Sequence, residues 1–348
     1  MGKNKENVIK CGIIGFGYMG EIRRYVLEQH NNVHLTVICD PDKNKLLNEK
    51  HIEVCRDPME IINSDVDAVF ICTPNHLIPH LTIQCLIRGK HVFVEKPPGR
   101  VLDDIIGMQT AEEENPGTKL MFGFNHRYHP GVMRAKSIVD SGRLGKVITV
   151  RGLYGKSGGK NFIQSWRNDI NISGGGILLD QGIHMLDLFN YFLGGFTSAK
   201  AFLSNGHWEF DVEENAVVIL KNDQHQLAVL HSSATFWKHL FQLNVILDNG
   251  YLKLEGLLSK TGSYGREKLV IGRRQFEDES EALGNPSEEI IYFDKDLSWE
   301  LEVNKFVNYI LNDEPVLEGN SIDAYNAMEL VHRCYQESGF PIYQTEAN

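Results

Sequence analysis

The chain has 348 residues, enough for two domains of ordinary size, and its 42% hydrophobic and 23% charged content describes a soluble globular protein. A net charge of −11 argues against nucleic acid or an anionic membrane surface as the main partner. The polar N-terminus MGKNKENVIK has no apolar core for secretion, Glu6 breaks the myristoylation pattern, and no run approaches the roughly 20 apolar residues of a membrane span. A cytoplasmic location is therefore expected.

The first 125 or so residues alternate short apolar runs with helical patterns. Strands are predicted at 8–14, 35–39, 53–55, 68–72, 91–94 and 120–122, and helices at 19–29, 43–50, 58–63, 78–88 and 102–114. This alternation predicts a parallel sheet covered on both faces, a doubly wound Rossmann fold. The continuous apolar run Ala68-Val69-Phe70-Ile71 suits a strand buried on both sides.

Gly15-Phe16-Gly17-Tyr18-Met19-Gly20 follows the first strand and opens a helix, and Asp40 ends the next strand 20 residues after Gly20. In that context Gly15 makes the tight turn, Gly17 lets the backbone approach a pyrophosphate, and Gly20 lets helix and sheet pack closely. Asp40 can accept from both ribose hydroxyls of NAD and would repel the extra phosphate of NADP. NAD is the expected cofactor, although Lys43 and Lys45 lie close by. Cys72-Thr73-Pro74-Asn75-His76 ends the fourth predicted strand, so Thr73, Pro74, Asn75 and His76 are either cofactor contacts or a strand-ending turn. Glu95-Lys96-Pro97-Pro98-Gly99 ends the fifth. Glu95 is placed to anchor the lysine or contact the cofactor, and Lys96 to stabilise a developing alkoxide.

After about residue 130 the pattern changes. A helix at 132–140 leads to strands at 146–153, 198–203, 216–221, 226–233 and 241–248, with Asn249-Gly250 as a hairpin turn into 251–254. The segment 262–286 reads as a long loop or an irregular hairpin, and helices at 299–311 and 322–337 close the chain. The expected domains are 1–126, binding the dinucleotide, and 127–348, an α+β substrate domain with a mainly antiparallel sheet. The last helix is a candidate to pack back on the first domain.

Within the second domain, 174–188 reads GGGILLDQGIHMLDL, a helix apolar almost all round that carries Asp180, His184 and Asp187 at i, i+4 and i+7. Two carboxylates and an imidazole on a buried face are either an internal network or an active site. Asp187 stays open between that stripe and a bond to neighbouring backbone. Arg127, Arg151, Lys160, Trp166 and Arg167 precede the Gly-rich turn. Arg127, Trp166 and Arg167 are the candidate substrate wall, a Trp for a sugar face and arginines for a carboxylate or phosphate. The six cysteines form no CxxC pair and read as buried thiols, and the 14 histidines show no metal-ligand spacing, so no metal is expected.

GFGYMG, EKPPG and GGGILLDQGIHMLDL, with TPNHLIPH at 73–80 and GFNHRYHP at 123–130, together resemble the Gfo/Idh/MocA family over nearly the whole chain. The resemblance implies an N-terminal Rossmann domain and a C-terminal α+β domain whose open sheet often forms an oligomer interface, hence a homodimer or homotetramer. It implies that Lys96, Asp180 and His184 occupy the catalytic positions, and that the Lys96–Pro97 bond is cis. The expected activity is oxidation, or the reverse reduction, of a secondary alcohol on a sugar, cyclitol or nucleotide-linked sugar. The rival readings are an NAD-dependent glycosidase using transient oxidation and a non-catalytic NAD sensor.

Overall fold

The computed structural model describes residues 8–47, 51–275 and 287–343, with only the backbone at 160 and 161. The chain forms two compact units. The first holds residues 1–125, 172–174 and 299–328; the second holds 126–171, 175–298 and 329–348. Residues 299–328 thus group with the N-terminal segment, across the 126/127 boundary read from the sequence.

In the first unit, six strands, β1 (Ile9–Ile14), β2 (Val33–Cys39), β3 (Glu53–Cys55), β4 (Ala68–Ile71), β5 (His91–Val94) and β6 (Leu120–Phe122), form a parallel sheet in the order β3-β2-β1-β4-β5-β6. The connections carry α1 (Tyr18–Gln29), α2 (Lys43–Leu46), α3 (Pro58–Ile62), α4 (Ile78–Ile87) and α5 (Leu102–Glu114). β4 is buried at all four positions, as its unbroken apolar run predicts. Strand order reverses between β1 and β4, and open α/β sheets bind ligands at the carboxyl ends around such a reversal. α2 stops at Leu46, short of the predicted 43–50; residues 48–50 lie outside those described.

The second unit contains α6 (Pro130–Asp140), β7 (Val147–Gly155), the short α7 (Lys160–Ile163) and α8 (Ile170–Ser173, whose end belongs to the first unit), then α9 (Ile183–Leu193). Seven further strands follow: β8 (Ser198–Ser204), β9 (Asn215–Lys221), β10 (Leu227–Ser233), β11 (Leu240–Leu247), β12 (Gly250–Glu255), β13 (Glu267–Arg273) and β14 (Glu288–Phe293). The sheet runs β14-β13-β12-β11-β7-β10-β9-β8, antiparallel except for the β7–β10 pair. α10 (Ser298–Leu311) and α11 (Ser321–Ser338) close the chain.

The second-unit sheet is asymmetric. Ala216, Val218 and Leu220 of β9 are buried, whereas Val217 and Ile219 between them are 40% and 48% exposed. α9 lies on the buried face. It seats on β7 at Gly152, where a Cβ would come 3.0 Å from the Met185 sulfur and 3.1 Å from the Phe189 ring. Almost every side chain of α9 from Ile183 to Phe189 is buried, including His184 and Asp187.

Two sequence expectations change and one open reading is resolved. The Asp180–His184–Asp187 segment is not one regular α-helix: Leu178–Gly182 forms a π-turn before α9. A π-turn bonds i to i+5 and takes more residues per turn, so the i, i+4, i+7 stacking expected from 3.6 residues per turn does not hold across it. The segment 262–286, read as a long loop or an irregular hairpin, contains β13, which pairs antiparallel with β14; its Leu269, Val270 and Ile271 are buried and its Glu267 is paired internally, and residues 276–286 lie outside those described. The β11–β12 turn sits one residue early. Leu247 pairs with Gly250, so Asp248 and Asn249 form the loop, and a Cβ on Gly250 would come 2.4 Å from the Gly272 carbonyl oxygen.

Candidate functional site

The first unit gathers its candidate residues at the carboxyl ends of β1, β2, β4 and β5. Gly15 adopts φ +94°, and a Cβ there would lie 2.7 Å from the Cys72 carbonyl carbon and oxygen, so β1 and β4 can close this tightly only around a glycine. A Cβ at Gly20 would meet the Gly15 carbonyl oxygen at 2.3 Å, whereas at Gly17 nothing lies within 4 Å. Gly15 and Gly20 therefore serve internal packing, and Gly17 leaves open space beside the start of α1. Phe16 is buried and Tyr18 exposed. No side chain caps the first turn of α1 among the described residues, which leaves the helix N-terminus for an anion.

Asp40 is buried beside this turn. One oxygen accepts from the Phe16 N–H (2.8 Å) and Lys45 Nζ (2.9 Å), the other from the Asp42 N–H (2.9 Å). Of the two lysines the sequence places nearby, Lys45 forms an ion pair with Asp40. At the end of β4 the Thr73 hydroxyl is buried and meets no hydrogen-bond partner among the described residues. Such a group asks for a ligand or a water. Asn75 and His76 begin a short 3-10 turn after Pro74, and Asn75 Nδ2 donates to the Ser173 carbonyl at 2.7 Å, a structural contact. The open Gly17 cradle, the uncapped helix, the Asp40 carboxylate and the orphaned Thr73 hydroxyl together fit a dinucleotide.

Glu95 does not face solvent or the adjacent lysine's role alone. It is buried, and it bonds Arg23 Nε at 2.6 Å, while Arg23 Nη2 bonds Glu302 at 2.7 Å. Burial alone would lower the Arg23 pKa, but Glu95 and Glu302 outweigh it and the net shift is upward, so the guanidinium stays charged. Arg23 also lies 4.3 Å from the Phe93 ring centroid and 4.9 Å from that of Trp299. This triad anchors the segment that presents Lys96. The Lys96–Pro97 peptide is cis. The following turn is tied by the Arg100 and Val101 N–H groups, which donate to Asp104 at 2.6 and 3.1 Å.

In the second unit the polar residues of the π-turn and α9 go to different partners. Asp180 accepts from Lys156 Nζ at 2.7 Å, from Arg167 Nε at 3.3 Å and from Gln181 Nε2 at 3.2 Å. The Arg167 guanidinium stacks on Trp166 at 4.5 Å and remains 40% exposed. Asp187 instead forms a buried bidentate pair with Arg127, at 2.8 Å to Nε and 2.5 Å to Nη2. Asp187 thus takes a partner that neither of its two sequence readings named, and Arg127, a candidate for the substrate wall, is engaged with a buried carboxylate. Arg151 sits on the exposed face of β7, away from this cluster's helix side; the side chain of Lys160 lies outside those described.

His184 is buried and stacks face to face on His126, with ring centroids 3.7 Å apart and planes 18° apart. His126 Nε2 lies 3.0 Å from the Tyr154 hydroxyl. The Tyr154 ring lies against that of Tyr264, centroids 5.6 Å apart, and the Tyr264 hydroxyl donates to Gln181 Oε1 at 3.3 Å. Burial is the main cause that raises the pKa of both phenols, with the nearby Asp180 charge adding to it, so both stay protonated. Beneath this layer, Glu213 clamps the Gly-rich turn. Its carboxylate accepts from the Gly176 and Leu178 N–H groups at 2.8 Å each and from the Tyr335 hydroxyl at 2.6 Å. Sequence reasoning missed Lys156, Tyr154, Tyr264 and Glu213, which belong to no motif. Gln181 and His126 stood inside quoted segments without a role.

Among the described residues no helix is long and apolar enough to cross a membrane, no group of three His, Cys, Asp or Glu could hold a metal, and all six cysteines are free. Residues 9–124 match the model of an oxidoreductase family with an NAD-binding Rossmann fold, and residues 132–253 match the C-terminal domain model of the same family. Levoglucosan dehydrogenase of Pseudarthrobacter phenanthrenivorans is 34% identical over 41% of this chain and 37% of its own length. Myo-inositol 2-dehydrogenase of Thermotoga maritima is 29% identical over 65% of this chain and 68% of its own length. An uncharacterised oxidoreductase of Streptococcus pneumoniae is matched over 51% of its length, so the alignments span about half of several curated relatives. The solved NADH complex of levoglucosan dehydrogenase shares the fold, with TM-score 0.79 and 19% identity over 95% of this chain and 97% of that one. Two family models in their proper order, over a Rossmann unit with a shaped glycine cradle and an α+β unit with an open sheet, place the chain in the GFO/IDH/MocA family of oxidoreductases.

Proposed function

We propose that the protein is an NAD-dependent dehydrogenase acting on a secondary alcohol, or the corresponding ketone, of a sugar, cyclitol or nucleotide-linked sugar. The observation that carries this reading is His184: an imidazole held on the buried face of α9, with a second ring fixing its plane and neighbouring cations already matched to Asp180. Inositol and levoglucosan, named for the relatives, are both polyhydroxylated rings.

The Gly17 cradle, the N-terminus of α1, Asp40 and Thr73 would hold NAD. The nicotinamide, when bound, supplies the hydride acceptor. His184 takes the hydroxyl proton as general base, since imidazole titrates near neutrality. Lys96 stabilises the developing alkoxide. Asp180 keeps Lys156 and Arg167 in place, and with Trp166 these bind substrate hydroxyls or an anionic group. Arg127 and Asp187 hold α9 without touching substrate.

Residues Ile148, Val217, Ile219, Leu227 and Ile246, each 40–48% exposed on one sheet face, support a homo-oligomer built through that face. Light scattering of the purified protein tests it, and a monomer at micromolar concentration would remove it.

The function is tested by following NADH formation with cyclitols, free sugars and sugar nucleotides, using Lys96→Ala and His184→Ala as controls. Turnover that both substitutions abolish while NAD binding persists is the expected result. Wild-type turnover in His184→Ala would overturn the assignment of the base, and no NADH with any compound would overturn the dehydrogenase reading.

A further inference from the structure

We propose that Trp208 and Trp237, with His207, form a second sugar subsite beside the Asp180 cluster, and that the substrate is a neutral glycoside whose second ring stacks there. The proposal rests on the dehydrogenase reading above for the reacting ring and names the class of its substrate.

The fold brings three loops to one edge of the second sheet. β7 and β10 run parallel, so both end on the same edge, where the Lys156 N–H donates to the Ser233 carbonyl at 2.8 Å. The loop after β7 (156–169), the loop after β10 (234–239) and the β8–β9 loop (205–214) meet there. A Cβ on Gly158 would come 2.5 Å from the Trp208 ring, so the indole lies directly on the first loop. Trp208 meets Trp237 edge-on at 5.9 Å, and His207 sits against both, at 4.7 and 5.1 Å. Phe162 and Phe210 flank Trp208 with ring centroids at 5.9 and 6.5 Å, and they line one pocket together with Arg167 and Asp180. The aromatic group is therefore continuous with side chains assigned above to the substrate.

The group is held ready for a ligand. Trp237 is 61% exposed, which leaves a large apolar ring in water, and its backbone has φ +58°, a conformation that bulky residues rarely adopt. Strain of this kind collects at ligand clamps. The backbone around it is tied down. The Ala234 N–H donates to the Glu214 carbonyl at 2.8 Å and the Thr235 N–H to the Ser233 hydroxyl at 2.9 Å. The Glu214 carboxylate accepts from the His207 and Trp208 N–H groups at 2.6 and 2.7 Å. Trp208 Nε1 is buried and meets no hydrogen-bond partner among the described residues, a donor that a ligand oxygen would satisfy.

Charge selects among ring-shaped ligands. Every charged side chain on the 205–214 loop is a carboxylate: Glu209, Asp211, Glu213 and Glu214. A nucleotide diphosphate would be repelled there. A neutral sugar brings C–H faces for the indoles and hydroxyls that can donate to the exposed Glu209 and Asp211.

The test follows NADH formation by the NAD-saturated protein with maltose, cellobiose, lactose and trehalose, with glucose and galactose as the free hexoses, and with UDP-glucose. For one disaccharide, a kcat/KM about tenfold above that of its free hexose is expected, the worth of one buried ring face. Trp237→Ala should cost that disaccharide about tenfold more than it costs the hexose. Trp208→Phe keeps a ring on Gly158 and loses the donor, and should cost the disaccharide about threefold more. Both variants should melt close to wild type. Equal kcat/KM for disaccharide and hexose, a preference for UDP-glucose, or a Trp237→Ala loss shared equally by both sugars overturns the proposal. No NADH with any compound overturns the dehydrogenase reading instead. Calorimetric titration of the NAD-loaded protein with the disaccharides then decides the subsite separately: binding that Trp237→Ala abolishes sustains it, and binding that is absent or unchanged in the variant overturns it.

Discussion

Arg23 is the most exacting point in the first unit, and Arg23→Met isolates it. Its side chain is fully buried between Glu95 and Glu302, which are 7% and 0% exposed. Methionine fills much of the same volume and still packs on Phe93 and Trp299, so the loss is electrostatic. Removing one partner of a buried ion pair costs about 3–5 kcal/mol, because the remaining charge is stranded. Here one cation serves two carboxylates, so the upper half of that range applies, about 4–5 kcal/mol. For a unit of this size that lowers Tm by roughly 8–20 °C. Urea unfolding and thermal melts of the variant measure the cost. Adding Glu95→Gln and Glu302→Gln to the same chain removes the stranded charges and should restore at least half of the loss. A cost below about 1 kcal/mol, or no recovery in the triple variant, would refute the argument. Because Glu95 precedes Lys96, the single variant should also lower turnover more than it weakens NAD binding.

Gly176→Ala should destabilise the second unit by about 3 kcal/mol or more, since its Cβ would sit 1.9 Å from the Glu213 carbonyl oxygen; thermal melting checks this. Asp40→Ala should weaken NAD about tenfold and raise the relative affinity for NADP by leaving Lys45 without its carboxylate, as read by calorimetry with both cofactors. His91 gives a pH dependence. Burial first, then the Lys119 charge, lower its pKa, and its Nδ1 accepts from the Lys119 N–H at 3.1 Å. As pH falls below about 6.5 the unfolded chain takes up this proton before the folded one. Stability present above that pH is therefore lost as pH falls through the folded value. His91→Gln should show a smaller drop in Tm between about pH 7.5 and 5.5 than wild type; an equal drop would count against it.

The Rossmann half was nearly all legible in the sequence, because its signals are local. Unbroken apolar strands, a glycine turn with fixed spacing and Asp40 at a strand end each carry their meaning within a few residues. The second half was legible as strands and as one polar helix, but its partnerships were not. Nothing along the chain tells that Asp187 takes Arg127 while Asp180 takes Lys156 and Arg167, since those pairs are made by sheet register and by a π-turn that breaks the helical period. β13 was legible only as loop or irregular hairpin for a related reason. Its apolar core is short, and the glycine and glutamate around it, which resemble a loop, include a buried Glu267 satisfied only from distant His129 and the Gly131 N–H.

The central position of β7 bears on how this protein comes to be active as it folds. The strand pairs with β10 on one side and β11 on the other, and Tyr154 near its end meets His126 from before it and the Tyr264 ring from more than a hundred residues after it. Such long-separated contacts close late, once the loops between them have been ordered. Helical signal from α9 can return early during refolding, but the stack of rings around His184 exists only when the sheet is complete. Recovery of turnover should therefore lag recovery of secondary structure, and a newly made chain stays inert until its distal strands have docked.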